Sequence, residues 1–510
     1  MNNIASNIVR LSPEMKAELK QRPSEYNLFP LSHSQERLWF LDQMMPGTPN
    51  YNMPAAIEFH GQIDFAALEF SLNTVVERHE SLRTAFLEID GVPMQLIQAP
   101  TENVLKVIDI SGLGAMQKAS ERERLTREEA SKPFDLRSGY LFRWMLMKLS
   151  VAHHVMLVTL HHIVSDDWSH GVLMREISML YRAYMQDVDQ LPEPIIQYVD
   201  FACWHREQMQ GETLESLLTF WRKRLSGAPE LLSLPLDRPR PAAQTFHGER
   251  IEFTLDAHLV QRLQGLARDR KVTLFMVLLA AFKILLQRYS GQNDIVVATP
   301  IANCNTIELE SLIGLFFNTL VLRTEFSGDL GFIDVLNRVR DTALDAYAHQ
   351  DLPFVKLIEA LKPGRALSHN PLVQVMFILQ NAPREKFELP GLTVEIGEVN
   401  NRTAQFDLIV ALRQDGNSLC GYVNYNTDIF DESTMSRLVG HFKRLLVSAV
   451  EHPYAPVSSL LMLTPPEWKQ ATVEWNNTHI ANPPGLCLHT LIEQQATAIP
   501  LAVAAINGDR

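Results

Sequence analysis

The stretch His161-His162-Ile163-Val164-Ser165-Asp166-Asp167-Trp168-Ser169 decides how this 510-residue chain is read. It follows an apolar run, Val155-Met156-Leu157-Val158-Thr159-Leu160, that is short and rich in strand-favouring residues, and then turns abruptly polar. Two histidines at the end of a buried strand, with an acid four residues on, point to chemistry. A metal site, a hydrolytic triad and a single working base are the three readings. Side chains alternate faces along a strand, so if both histidines lie on it they face opposite ways. One would then be the working base and the other structural, and a metal held by both is disfavoured. No Gly-x-Ser-x-Gly elbow surrounds Ser165, which disfavours the triad.

Upstream of this stretch, residues 140–149 read as a neighbouring strand and 51–60 as another, while Asp64 is placed to cap a helix carrying Leu68, Leu72, Val75 and Val76. Short strands are expected around 94–97 and 104–108, and a charged helix over about 116–131. Ser32 or Ser34 is expected to cap a helix bearing Leu38, Trp39 and Leu41. Residues 1–27 read as a polar helical leader. Alternating strands and helices of this kind predict an α/β lobe closing near residue 180.

Downstream, residues 198–225 read as helical, and Pro235, Pro239 and Pro241 make an extended connector between lobes. The rhythm then restarts. A strand is expected at 251–255, a helix at 257–267, a buried helix from Leu274 capped by Thr273, and strands at 294–298, 373–379, 408–412 and 421–425. Residues 313–323 form a turn feeding a strand, and 332–347 and 432–450 are amphipathic helices. After Ser459, Pro465-Pro466 and Pro483-Pro484 bracket a polar segment, followed by a helix over 489–496 and a strand-like piece at 501–506.

A net charge of -13 argues against nucleic acid as a partner. Cys203, Cys304, Cys420 and Cys487 are scattered without close pairs, so neither a zinc site nor a disulfide framework is expected. The N-terminus lacks a signal-peptide core, and the apolar helix from Leu274 is interrupted by Lys283, Gln287 and Arg288. A cytoplasmic chain with no membrane segment is the expectation, and the Asn476-Asn477-Thr478 sequon is taken as accidental.

Read together, these stretches resemble the condensation domain of nonribosomal peptide synthetases over nearly all of residues 28–464. The family pattern of paired histidines, three variable residues, then Asp-Gly corresponds to His161 through Asp167. Ser32-His33-Ser34-Gln35-Glu36-Arg37-Leu38-Trp39, Arg78 to Phe86, Tyr198 to Trp204, Ile313-Gly314-Leu315-Phe316-Phe317-Asn318-Thr319, His349-Gln350-Asp351-Leu352-Pro353-Phe354 and Ser368-His369-Asn370-Pro371-Leu372 occur in the family's order. The tail from Glu474-Trp475-Asn476 resembles the opening of an adenylation domain.

The resemblance implies an α/β fold of two chloramphenicol-acetyltransferase-like lobes meeting in a V, with the active site at a central tunnel. The division it suggests is a leader at 1–27, an N-lobe at 28–185, a C-lobe at 186–464, and a linker with the start of an adenylation domain at 465–510. The implied partners are donor and acceptor carrier domains, which present thioesters on 4'-phosphopantetheine, and the adjoining adenylation domain. No cofactor of its own and no metal are expected. The reaction is amide formation between the two thioesters, and 41–47 with the His162 stretch resembles the subtype joining an L-configured donor to an L-configured acceptor. A silent module that recruits partner proteins and a carrier-dependent epimerase are the alternatives.

The resemblance makes His162 the base or amine-orienting group, His161 a core residue, and Asp166 half of a structural ion pair for which Arg83 is the candidate partner. Ser165 and Asn318 either point polar groups into the tunnel or form turns, and Trp204 is expected to pack in the core. Asp167 departs from the pattern, which has glycine there. Glycine permits positive φ and aspartate tolerates it better than most residues, so the turn is expected to survive. The carboxylate is expected to narrow the acceptor channel, or to hold a charged amine or imidazolium that ought to be neutral, at a cost to activity.

Overall fold

Alternation along one strand sets the faces of the first lobe. A computed structural model describes residues 27–186, 191–303, 308–362, 364, 367–380, 387–478 and 487–503. Residues 1–26 of the leader, Cys304, Pro483-Pro484 and residues 504–506 therefore lie outside the described residues. In chain order the first half supplies β1 (Leu28–Pro30), β2 (Asn52–His60), β3 (Thr84–Ile89), β4 (Val92–Ile97), β5 (Lys106–Asp109), β6 (Phe142–Ser150) and β7 (His153–His161). The second half supplies β8 (Gly248–Leu255), β9 (Asp294–Ile301), β10 (Asn318–Glu325), β11 (Val375–Gln380), β12 (Thr393–Glu398), β13 (Leu408–Asp415) and β14 (Ser418–Asn426).

The first sheet runs β12-β2-β7-β6-β5. On one face Ile57 and Phe59 of β2 and Met156, Val158 and Leu160 of β7 pack against helices Phe65–Arg78 and Asp167–Gln186. The intervening residues Val155 and Leu157 pack on the other face with Leu125 of helix Ala115–Ser131. This is the period-two pattern of a strand buried on both sides.

The second sheet runs β10-β9-β11-β13-β14-β8. Its central helix, Leu274–Ser290, is capped by the Thr273 side chain and buries every residue from Phe275 to Leu286. That run includes Lys283, whose Nζ donates to Leu322 O at 2.7 Å and Thr324 Oγ1 at 2.8 Å. Burial pushes the Lys283 ammonium well below its usual range. Among the described residues no single helix is long and apolar enough to cross a membrane.

The capping expectations at Ser32 and Asp64 hold: Ser32 forms a capping box with Gln35, and Asp64 accepts Ala67 N–H. The expected continuous helix over 198–225 divides into Tyr198–Gln208 and Gly211–Leu225, because Gly211 adopts φ +56. One strand crosses the expected lobe division at 185/186. β12 comes from the second half of the chain but pairs with β2 of the first sheet over six residues, from Thr393↔His60 to Glu398↔Ala55. An edge strand containing Glu395, Gly397 and Glu398 carries little strand signal of its own; its partner supplies the order.

Residues 462–510 form a separate unit. Within it Thr464 caps a short helix, Pro465–Lys469, and helix Leu488–Ala498 lies where a helix is expected. The described part of the strand-like piece, 501–503, is not a strand.

Candidate active site

β7 delivers the two histidines to different environments. His161 ends the strand on the face of helix Ala115–Ser131, 4% exposed, with its ring edge-on to Phe134. Its Nδ1 accepts the Ile163 N–H at 3.1 Å, which requires an unprotonated Nδ1. Burial, with lesser contributions from His162 and Arg143, lowers its pKa to about 3.

His162 turns off the strand into a single 3-10 turn, His162–Val164, and is half-buried. Its Nδ1 lies 2.7 Å from the Ser165 carbonyl oxygen, which can only accept, so Nδ1 carries the proton and Nε2 is left with a lone pair. The imidazole stacks on Phe317, centroids 4.9 Å apart and planes 22° from parallel. Ring orientation is thus set at one edge by a hydrogen bond and across one face by packing.

Asp166 is buried at 3% exposure and caps helix Asp167–Gln186. Its Oδ1 accepts Ser169 N–H at 2.9 Å and lies 2.8 Å from Ser169 Oγ. Oδ2 accepts the N–H groups of Phe316 and Phe317 at 2.9 and 3.2 Å, in the segment leading into β10. Ser169 Oγ also stands 2.8 Å from Gly314 O and accepts Gly314 N–H at 3.0 Å. Burial raises the Asp166 pKa, against the opposing pull of these donors and of His162. Donors occupy both oxygens, so the ionised form is the one this site accommodates. The same segment is locked elsewhere: Ser81 Oγ donates to Ile313 O, Trp168 Nε1 to Glu310 O, and Tyr198 OH to Leu315 O. A Cβ on Gly314 would come within 2.0 Å of the Tyr198 ring, so only glycine lets the segment lie this close.

Several expectations are corrected. Arg83 does not pair with Asp166; it donates to Gln98 O and lies 3.7 Å from Glu80, while backbone amides fill the Asp166 carboxylate. The side chain of Ser165 is buried, with Oγ 3.5 Å from Asp166 O, and its carbonyl is the part that serves the site. Asn318 is also buried and fully engaged with backbone, donating to Gln350 O and Leu352 O and accepting from Thr319 and Phe354. It fastens β10 to the 350–354 segment. Trp204 packs at the edge of a core cluster, as expected.

Asp167 occupies no turn at positive φ: it is the first residue of helix Asp167–Gln186, exposed, and among the described residues its carboxylate meets Gln380 Nε2 at 3.4 Å. An acid is favourable at a helix N-terminus, so the aspartate carries no backbone cost. Asp167→Gly is expected to lower stability by roughly 0.5–1 kcal/mol, read by thermal melting.

Sequence reasoning missed Ser169 and Phe317. Ser169 sits three residues after an aspartate, the spacing of a helix cap, and that signal is present in the chain. Nothing local marks Phe317 as the partner of a histidine 155 residues earlier in the chain.

The His161 environment makes a pH-dependent prediction. Its folded pKa is about 3, below the ordinary 6.5, so between those values the unfolded chain binds more protons than the folded one. Its contribution to stability is therefore lost as pH falls from 6.5 toward 3, on the order of 5 kcal/mol if the whole window is crossed. His161→Asn, whose Oδ1 can replace Nδ1 as acceptor, is expected to flatten the acid limb of the melting profile.

The site thus holds one imidazole nitrogen ready to accept a proton, on a ring braced by both halves of the chain. Residues 26–472 match the family model described as "Condensation domain". The chain is 44% identical over 483 residues to a linear gramicidin synthase of Brevibacillus parabrevis, covering 94% of this chain and 6% of that protein. It spans a tenth or less of the linear gramicidin synthases it matches at 41–44% identity. The X-domain from teicoplanin biosynthesis, also solved in complex with OxyB, superposes with a TM-score of 0.78 at 28% identity, covering 87% of this chain and 99% of that one. The first condensation domain of the calcium-dependent antibiotic synthetase shares the fold, with a TM-score of 0.74 at 21% identity over 86% of this chain and 99% of that one.

Proposed function

This chain belongs to the condensation-domain family, and from that premise we propose that it forms an amide between two carrier-bound thioesters in nonribosomal peptide synthesis. The carrying observation is the His162 ring, held at Nδ1 by Ser165 O with Nε2 left as an acceptor. The acceptor's amine attacks the donor thioester carbon; Nε2 takes the ammonium proton as the C–N bond forms and returns it to the departing thiolate sulfur. An amide and a free thiol result. General base catalysis of this kind contributes about 10²–10⁴-fold, and placing the two reactants contributes further.

Both substrates arrive on the pantetheine arms of donor and acceptor carrier domains, through a tunnel between the two lobes, and the chain itself holds no cofactor. Donor and acceptor are both L-configured. Residues 465–510 form a linker and the opening of an adenylation domain; matches to synthetases over up to 507 residues, beyond the family model's end at 472, support this. The reaction belongs in the cytoplasm, where such carriers are loaded.

A second reading, a silent module that recruits a partner, has one observation in its favour: the X-domain, similar in fold at 28% identity, is solved in complex with OxyB. Mass spectrometry of donor- and acceptor-loaded carriers mixed with this protein separates the two. Dipeptide on the acceptor carrier supports condensation. Unchanged carriers, with carrier binding intact, would favour recruitment, and an inverted stereocentre without a new amide would favour epimerisation.

A further inference from the structure

We infer a divalent-cation site, suited to Zn²⁺, at Glu58, His60 and His153 on the first sheet. β2 and β7 are antiparallel with His60 directly opposite His153, and Glu58, two residues before His60, shares its face. One ligand atom from each of the three lies within 4.8 Å of the others. His153 Nε2 and Glu58 Oε2 are 3.1 Å apart, close to the ~3.3 Å edge of a tetrahedron built from zinc–ligand bonds near 2 Å. The two imidazoles stack with centroids 4.5 Å apart and planes at 25°, so a small χ rotation brings a nitrogen of each toward one point.

The surroundings fit a cation. The other Glu58 oxygen is held by Arg122 of helix Ala115–Ser131, which fixes the carboxylate with Oε2 toward the histidines. Glu395 of β12 stands opposite Glu58 in the strand register and adds negative charge. His60 is exposed, which leaves a path for entry and room for water to complete the shell. Two imidazoles and one carboxylate select Zn²⁺ over Mg²⁺ or Ca²⁺, which favour all-oxygen sites. The site lies at the start of β7 and His161 at its end, about 26 Å away at ~3.3 Å per residue. It is therefore separate from the His162 site and would act by clamping β2 to β7.

The test uses the untagged full chain, stripped by chelator and titrated with ZnCl₂ by calorimetry, with CoCl₂ as a spectroscopic probe. The expected result is one ion per chain, an upward shift in melting temperature with Zn²⁺, and at least ~ten-fold weaker binding in His60→Ala and in His153→Ala. His60 is exposed and His153 half-buried, and metal-free melting near the parent temperature establishes that the variants fold. No uptake would overturn the assignment. So would uptake unchanged in the His60→Ala/His153→Ala double variant, displacement by equimolar Mg²⁺, or binding lost only in His162→Ala.

Discussion

His162→Ala is expected to cut dipeptide formation by about 10²–10⁴-fold while leaving the melting temperature near that of the parent. The reason lies in what each nitrogen does. Nδ1 is committed to the Ser165 carbonyl at 2.7 Å, so in the proposed reaction the proton goes to Nε2. Removing the ring deletes that acceptor and the stack on Phe317 at 4.9 Å, but the side chain is only half-buried and leaves no large cavity. His162→Asn sharpens the test. The asparagine amide can still donate to Ser165 O, but nothing stands where Nε2 was. If proton acceptance is the role, Asn is as slow as Ala in single-turnover transfer from loaded carriers. Asn retaining parental rate would remove the base from the mechanism and leave His162 a spacer.

Asp166→Ala is the second large effect, and it reads out on stability as well as on rate. The carboxylate is the shared acceptor for three backbone N–H groups, those of Ser169, Phe316 and Phe317, all around a buried position. Buried donors without an acceptor cost about 1–3 kcal/mol each. The Ser169 hydroxyl can turn to Gly314 O, which lies 2.8 Å away, so part of the loss is recovered. A net destabilisation of about 3–5 kcal/mol is expected, well above the effect of an ordinary surface change. The segment released carries Phe317, so product formation should fall at least ten-fold even where the variant remains folded. Asp166→Asn keeps one oxygen but turns an N–H₂ toward existing donors, and its melting temperature should lie nearer to Ala than to the parent. Melting unchanged in both variants would mean that the 314–317 segment is held by Ser81, Trp168 and Tyr198 alone.

Much of this is legible in the chain. The apolar run before His161 and the caps at Ser32, Asp64 and Thr273 are local signals, and each corresponds to an observed element or cap. Where sequence reasoning fails, the missing partner is distant or is backbone. An aspartate beside a histidine pair suggests a guanidinium, and Arg83 is the candidate in the quoted motifs. The real partners are amides at 316 and 317, and every residue has an amide, so no residue type announces them. Asp167 reads as a replaced turn glycine only as long as the helix beginning there goes unrecognised. β12 escapes notice because an exposed edge strand gains its order from β2, more than 300 residues away. Glu58, His60 and His153 carry no spacing signal, since cross-strand proximity is set by register.

The sequence by itself determined the family, the alternation of strands and helices, and the choice of His162 as the histidine to test, because periodicity, capping and motif order are written in side-chain type along the chain. Only the tertiary structure decided which nitrogen of His162 is left to react, and what holds the ring. The Ser165 carbonyl reaches Nδ1 through the local 3-10 turn, whereas the Phe317 face and the amides of 316 and 317 that meet Asp166 are brought in by closing loops of about 150 residues.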